Sequence, residues 1–278
     1  MANIFLIVYA HQDPHSFNAA AKEVAVEALT SQGFIVEVSD LYAMNFKATA
    51  TAEDITGELA ADMPFHYAEE TKLAWQQGKL SADITEEQRK LTEAELVIFQ
   101  FPIYWFSAPA ILKGWFDRVL TEGFAFTPEK RYSQGIFQDK KAILSFTTGS
   151  QESMFGINGI NGDVYVAIWP IQYGTLHYCG FQVLAPQISW DPAHTSQEAR
   201  GNMLEAWRKR LHGLMEEKPL FFPSMDSFDK ELGFQLRTEL HEQEASKGST
   251  VDKHLEKVPR ASQFKSGCLG ELMLVQCK

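Results

Sequence analysis

Every position of Ile4-Phe5-Leu6-Ile7-Val8-Tyr9 is apolar or aromatic. A strand with one face in water alternates, so an unbroken run predicts a strand buried on both faces. A parallel sheet covered by helices on each side provides that burial. Similar runs recur at Phe34–Val38, Leu96–Phe101 and Ala142–Phe146, with a weaker one at Phe181–Leu184. Between the first two, Phe17, Ala20, Ala21, Val24 and Ala28 fall at i, i+3, i+4, i+7 and i+11. That spacing lays one apolar stripe along a helix of roughly four turns. Pro109–Leu120 and Ser196–Glu217 read as further helices, with Pro109 suited to a first turn. Strand alternating with helix predicts an α/β fold, a doubly wound parallel sheet with helices on both faces. Its order is expected to be flavodoxin-like, because no G-x-G-x-x-G follows the first strand. Gly156, Gly159 and Gly162 repeat every third residue, which is not that fingerprint.

The segment Lys47–Leu91 is polar and weakly periodic, and reads as an elaborated connection between the second and third strands. After Pro219 the composition shifts to Phe221-Phe222-Pro223, then a Lys/Glu-rich stretch to about Lys257 and a short apolar end, Leu269–Val275. The expected organisation is a catalytic domain over 1–220 and an extension over 221–278 too small to fold alone. The net charge of -11 argues against nucleic acid or an anionic membrane as partner, since both select basic faces. Three cysteines, Cys179, Cys268 and Cys277, give no disulfide framework and point to a reducing compartment. With no signal-peptide pattern and no apolar run long enough to span a bilayer, the expected location is cytoplasmic.

Ligands of doubly wound sheets bind beyond the carboxyl ends of the strands. After the first run come Ala10-His11-Gln12-Asp13-Pro14-His15-Ser16-Phe17-Asn18. Ser16 is placed to cap the helix that follows, and the N–H groups of that first turn make an anion site suited to a pyrophosphate. The plain alternative is a cap with no ligand. His11 and His15 have metal-like spacing, but Pro14 keeps them off one helical face. After the third run, Pro102-Ile103-Tyr104-Trp105-Phe106 offers flat aromatic surface; after the fourth, Thr147-Thr148-Gly149-Ser150 offers backbone N–H groups that can approach a ligand closely. Aromatics here often belong to a core, and the second loop reads equally as a turn. Taken together, the two describe a slot for a planar, polar-edged ring such as an isoalloxazine.

Longer motifs carry a resemblance. Val8-Tyr9-Ala10-His11 with Ser16-Phe17-Asn18, Ser39-Asp40-Leu41-Tyr42-Ala43-Met44-Asn45-Phe46 and Asp54-Ile55-Thr56-Gly57 resemble the NAD(P)H:quinone oxidoreductase (DT-diaphorase) family. So do Val97–Pro102, Pro109–Trp115, Trp169-Pro170-Ile171-Gln172 and His177-Tyr178-Cys179-Gly180-Phe181. The likeness covers about 1–219 almost continuously and the remainder loosely. It implies a cytosolic, flavodoxin-like homodimer holding FAD, with each active site at the subunit interface. It further implies a ping-pong cycle in which NAD(P)H, or a dihydronicotinamide riboside, gives a hydride that a quinone then takes.

By position, the resemblance gives His11, Ser16, Phe17 and Asn18 to the FAD phosphates and ribityl chain. The isoalloxazine falls to Pro102, Ile103, Tyr104, Trp105, Phe106, Thr147, Thr148, Gly149 and Ser150, and the adenine end to Arg200 and His66. Gly149, Phe155 and Asn161 occupy the catalytic positions, Phe155 also beside the cofactor. Ala125, Phe126, Thr127, Asn161 and Tyr178 wall the substrate slot. Where the NADPH-using branch has a Tyr and a His, this chain has Phe155, with no donor, and Asn161, which cannot titrate. The sister branch, which prefers ribosides, carries Asn at the second position but keeps the Tyr; it ends near residue 230. Of that branch's metal ligands only His177 is matched, with Tyr173 and Phe222 at the other positions, so no metal site is expected. His66 and Pro128 also depart from the commoner family residues. Two further readings stand beside the reductase: a flavin-binding scaffold with little turnover, and a one-electron carrier using FMN.

Overall fold

A computed structural model describes residues 3–59, 65–156 and 158–240. The apolar runs become strands β1 (Ile4–Tyr9), β2 (Ile35–Asp40), β3 (Leu96–Pro102), β4 (Lys141–Thr147) and β5 (Gln182–Val183), joined by a short β6 (Gln187–Ser189). They form one six-stranded parallel sheet in the order β2-β1-β3-β4-β5, with β6 also on β4. This is the flavodoxin-like order, whose switch point lies between β1 and β3. β1, β3 and β4 are buried almost throughout, as unbroken apolar runs require. β2 departs from that reading: it is the sheet edge and is half-exposed, Ile35 included. β5 and β6 share the other edge, each pairing with a different half of β4. The break between them, at Ala185 and Pro186, is held by Arg210, which donates to both carbonyls.

Helices α1 (Phe17–Ser31), α2 (Tyr67–Gln76), α3 (Ala82–Glu93), α4 (Ala110–Val119), α5 (Val164–Ile171) and α6 (Gln197–Leu211) complete the layers. α1 and α6 pack on one sheet face through Val24, Ala28, Leu29, Trp207 and Leu211, against Phe5, Ile7 and Ile98. On the other face α4 sets Trp115 and Phe116 against Phe99. The connection after β2 is elaborated by two full helices, α2 and α3. α6 stops at Leu211, short of the expected Glu217; Gly213 follows, and Leu214–Glu216 form a separate 3₁₀ turn. Pro109 sits one residue before α4.

The chain divides into two units, Met1–Leu220 and Phe221–Lys278. Within the described part of the second, β7 (Phe228–Asp229) and β8 (Gln235–Leu236) form an antiparallel pair. Cys268, Cys277 and the apolar end Leu269–Val275 lie outside the described residues. No helix among the described residues is long and apolar enough to cross a membrane.

Candidate active site

The carboxyl ends of β1, β3, β4 and β6 converge at one edge of the sheet. Ser16 caps α1 as expected: its Oγ accepts from Ala19 N (3.1 Å), while its φ and ψ are extended. The N–H groups of Phe17 and Asn18 take no acceptor among the described residues, so the first turn of α1 keeps its capacity for an anion. His11 is folded back, its Nδ1 accepting from Asp13 N (2.9 Å). Asn18 is buried. Its Nδ2 donates to Thr147 Oγ1 (3.0 Å), and its Oδ1 accepts from Gln100 Nε2 (2.8 Å). This chain of amides ties α1, β3 and β4 together at their active ends. It also leaves one open valence: Gln100 Oε1 is buried with no partner among the described residues.

Beyond β3 the backbone makes a tight reversal. Tyr104 N donates to Ser107 O and Ser107 N donates to Tyr104 O, both at 3.0 Å. The two residues between, Trp105 and Phe106, have φ of 50° and 62°. A two-residue hairpin with both central residues left-handed is the turn for which Asn-Gly is the ordinary sequence. Putting Trp and Phe there costs on the order of 1–3 kcal/mol each, and such strain collects at ligand clamps. The result is a Trp105 side chain 96% exposed beside a half-exposed Phe106. Tyr104 is exposed as well and shares a hydrogen bond with Gln12.

The loop after β4 faces this turn. Ile103 N donates to Thr147 O (2.9 Å), which fixes the two loops side by side. Thr148 is already committed, its N–H to Ser189 O and its hydroxyl to Ser150 O. The N–H groups of Gly149 and Ser150 take no acceptor among the described residues, and a Cβ built on Gly149 would meet nothing within 4 Å. Open space above free donors is what a flat polar ring edge requires. Phe155 is buried between Phe106 (6.0 Å between centroids) and Trp190 (5.4 Å). Asn161 is half-buried, its N–H donating to Met154 O.

A second aromatic group lies on the loop after α4 and on the helix after α5. Phe126 meets Tyr178 (5.3 Å); Tyr178 meets Tyr132 (4.9 Å); Tyr132 meets Tyr173 (5.4 Å), which stacks on Trp169 (4.4 Å). Pro170 within α5 is followed by a π-helix, Gln172–His177, a distortion frequent at functional sites. Burial alone holds the His177 imidazole down to about 4, so it is neutral. Tyr173 is pushed up to about 12 by burial, with a smaller contribution from Tyr132. Ala125 is fully buried and its N–H donates to Thr121 O, whereas Thr127 bonds Glu129. No ring contact among the described residues joins this group to Phe106, Phe155 or Trp190. His66 is exposed at the start of α2. Arg200 reaches the turn after β6, donating to Pro192 O and Thr195 O. Sequence reasoning missed that turn, with Trp190, Asp191 and His194, and gave Gln100 no role of its own. A three-residue strand gives no periodic signal, and Gln100 is one polar residue inside an apolar run.

The family model described as a flavodoxin-like fold matches residues 4–211. NAD(P)H dehydrogenase (quinone) 1 from Cavia porcellus is 48% identical, over 94% of this chain and 97% of the relative. Ribosyldihydronicotinamide dehydrogenase (quinone) from Homo sapiens is 55% identical, over 77% of this chain and 93% of the relative. Among solved structures, a quinone reductase candidate from Klebsiella pneumoniae superposes with a TM-score of 0.81 at 38% identity, covering 86% of this chain and 95% of its own.

Proposed function

From the chain's membership of the NAD(P)H:quinone oxidoreductase family, which these similarities establish, we propose that it is a FAD-dependent reductase of quinones and related electrophilic aromatics. Its electron donor is a dihydronicotinamide, either NAD(P)H or the riboside. The observation that carries this is the cradle at the sheet's carboxyl edge. A strained turn presents Trp105 and Phe106 opposite the free N–H groups of Gly149 and Ser150, over an unobstructed Gly149. Those residues fit an isoalloxazine: aromatic faces for the ring, donors for its polar edge. The unpartnered Gln100 Oε1 adds an acceptor. The free first-turn N–H groups of α1 fit a phosphate or a pyrophosphate, and the choice of FAD rests on the family resemblance. When bound, the flavin supplies hydride chemistry.

The protein's part is to orient, to exclude water and to provide polar contacts. Phe106, Phe155 and Trp190 form an apolar wall beside the cradle; Thr148 fixes the donor loop through Ser189 and Ser150. Phe126 and Tyr178 form a second wall, in ring contact with neither Phe106 nor Phe155 among the described residues. Two half-slots in one chain fit a homodimer in which one protomer's cradle is closed by its partner's aromatic wall. The region from Phe221 onward is then an extension that serves the larger donor. A cytoplasmic setting follows from the soluble donor and the scarcity of cysteine.

A second reading, a flavin-binding scaffold with little turnover, draws on one observation: Phe155 is packed between two rings and presents no donor. Anaerobic stopped-flow reduction of the FAD-loaded protein separates the two. Rapid bleaching by NADPH supports the reductase and a working extension. Bleaching by the riboside alone assigns the smaller donor. Bleaching by neither overturns the reductase in favour of the scaffold.

A further inference from the structure

A cleft opens between α2, α3 and the loop after α4, and none of its lining residues has a task in the proposed function. It holds about 390 Å³, within the roughly 300–1,000 Å³ of small-molecule sites. Trp75 of α2 and Phe124 of the loop form its apolar part, their ring centroids 6.5 Å apart and their planes inclined by 56°. The walls are tied to one another. Lys72 Nζ donates to Glu122 Oε1 (2.6 Å), and Gln88 Nε2 donates to Val119 O (2.9 Å) and Thr121 Oγ1 (3.1 Å). Gly123 has φ of 90°, and a Cβ there would stand 2.7 Å from the Trp75 ring, so glycine is what brings the loop this close.

The polar side chains of the cleft are Thr85, Gln88, Arg89 and Thr92, and their donors are committed. Thr85 Oγ1 donates to Leu80 O (3.4 Å) and Thr92 Oγ1 to Gln88 O (2.7 Å). Arg89 is paired with Glu37, Glu86 and Glu93. What remains is acceptor capacity. Gln88 is 6% exposed; both of its printed bonds use Nε2, and its Oε1 takes no donor among the described residues. A buried amide oxygen without a donor is costly, and an O–H or N–H brought by a ligand removes that cost. One cation against three carboxylates leaves the rim acidic, which disfavours an anion. We propose that this cleft is an accessory binding site for a small, uncharged two-ring aromatic that carries a hydrogen-bond donor. Its rings pack on Trp75 and Phe124, and its O–H or N–H is donated to Gln88 Oε1. The site stands independently of the reductase reading, because no residue of the cradle takes part in it.

The test titrates full-length, FAD-loaded protein with 2-naphthol and follows the Trp75 indole N–H resonance, assigned by its loss in Trp75→Phe. The resonance should move and saturate, with half the change reached at or below about 1 mM, the scale for a ligand of this size. 2-Methoxynaphthalene keeps the rings but cannot donate, and should bind about two- to tenfold more weakly. The 2-naphthoate anion should leave the resonance in place at the same concentration. Thr85→Trp, at an exposed position on the cleft, fills it and should abolish the response. Thr92→Trp, two turns further along the same helix face, is the second filling variant should the first not fold. A resonance that 2-naphthol leaves unmoved overturns the proposal. So does a response that survives in the folded filled variant, which would put the probe elsewhere. Binding of either control as tight as that of 2-naphthol also overturns it, by removing the donor or the charge from recognition.

Discussion

Two polar regions of this molecule are built in opposite ways. Under the connection between β2 and β3, Arg118 is 1% exposed and fully engaged. Its Nε and Nη2 donate to the two carboxylate oxygens of Asp54 (3.1 and 2.9 Å), and its Nη1 to Asp83 Oδ2 and Lys47 O. Asp54 also accepts from Tyr67 Oη (2.7 Å) and Thr51 N (3.2 Å). Gly114 of α4 lies so close to Ala48 that a Cβ would stand 2.1 Å from its carbonyl oxygen, so the connection rests on α4 without a gap. At the sheet's carboxyl edge the pattern reverses. Among the described residues, Gly149, Ser150, Phe17 and Asn18 keep unused N–H groups and Gln100 keeps an unused oxygen, and the backbone at Trp105 and Phe106 is strained. A closed polar network holds a fold together; open valence and strain leave room for a ligand to complete the structure.

The largest effect that could break this contrast lies in the closed network. Arg118→Met should lower the unfolding free energy by about 3–5 kcal/mol, because it strands a buried carboxylate. The denaturation midpoint reads this. Trp105→Ala, which removes a larger but exposed side chain, should stay within about 0.5 kcal/mol while releasing FAD. A loss below about 1 kcal/mol for Arg118→Met would make the network no more than surface decoration. Burial by itself would raise the Asp54 carboxyl. The hydrogen bonds from Arg118, Tyr67 and Thr51 outweigh it and hold the group below its ordinary range. A depressed carboxylate contributes stability above its unfolded value and loses it as pH falls through the folded one, so acid unfolding should be blunted in Asp54→Asn.

His177 sharpens the comparison from the aromatic wall, where burial lowers the affinity of a titratable group for its proton. Its folded value of about 4 lies below the ordinary 6.5. The unfolded chain therefore binds the proton first, and stability present above 6.5 is lost as pH falls toward 4. At ~1.4 kcal/mol per unit the loss is roughly 3 kcal/mol. His177→Phe should flatten the stability curve over that window; a curve that keeps its slope would assign the acid sensitivity elsewhere.

The contrast also explains what could be read from the sequence. β1, β3 and β4 were legible because both of their faces are buried, which leaves an unbroken apolar run. α2 and α3 were hidden because their inner faces carry polar residues: Glu87 accepts from Trp115 Nε1 (2.8 Å), and Gln88 donates to Val119 O (2.9 Å). Apolar periodicity cannot register a helix that packs through satisfied polar side chains. α5 escaped for the opposite reason, being apolar nearly all round with Pro170 inside it. At the site, Ser16 and the two loops were legible from their position after strands. The turn with Asp191 and His194 was not, because the strand before it is three residues long and Asp191 is fastened to Thr148, over forty residues away.

A smaller test acts on the strain itself. Replacing Trp105-Phe106 with Asn-Gly, the ordinary pair for this turn, should raise stability by about 1–2 kcal/mol in the flavin-free protein. FAD affinity should fall at the same time. Stability gained with affinity intact would mean that the strain serves something other than the ligand.

The smallest change of rate expected is at Phe155, where the two styles of construction meet. It is packed like a core residue, 6.0 Å from Phe106 and 5.4 Å from Trp190, yet it stands at a catalytic position. Phe155→Tyr adds one hydroxyl to an otherwise apolar contact. If the ring faces the cradle, the new donor can meet charge developing there, and flavin reduction should quicken by up to about tenfold, or ~1.4 kcal/mol of barrier. If the ring belongs to the core, the hydroxyl is buried without a partner; stability then falls by about 1–3 kcal/mol and the rate does not change. Stopped-flow traces beside a denaturation curve for the same variant therefore decide which region Phe155 belongs to.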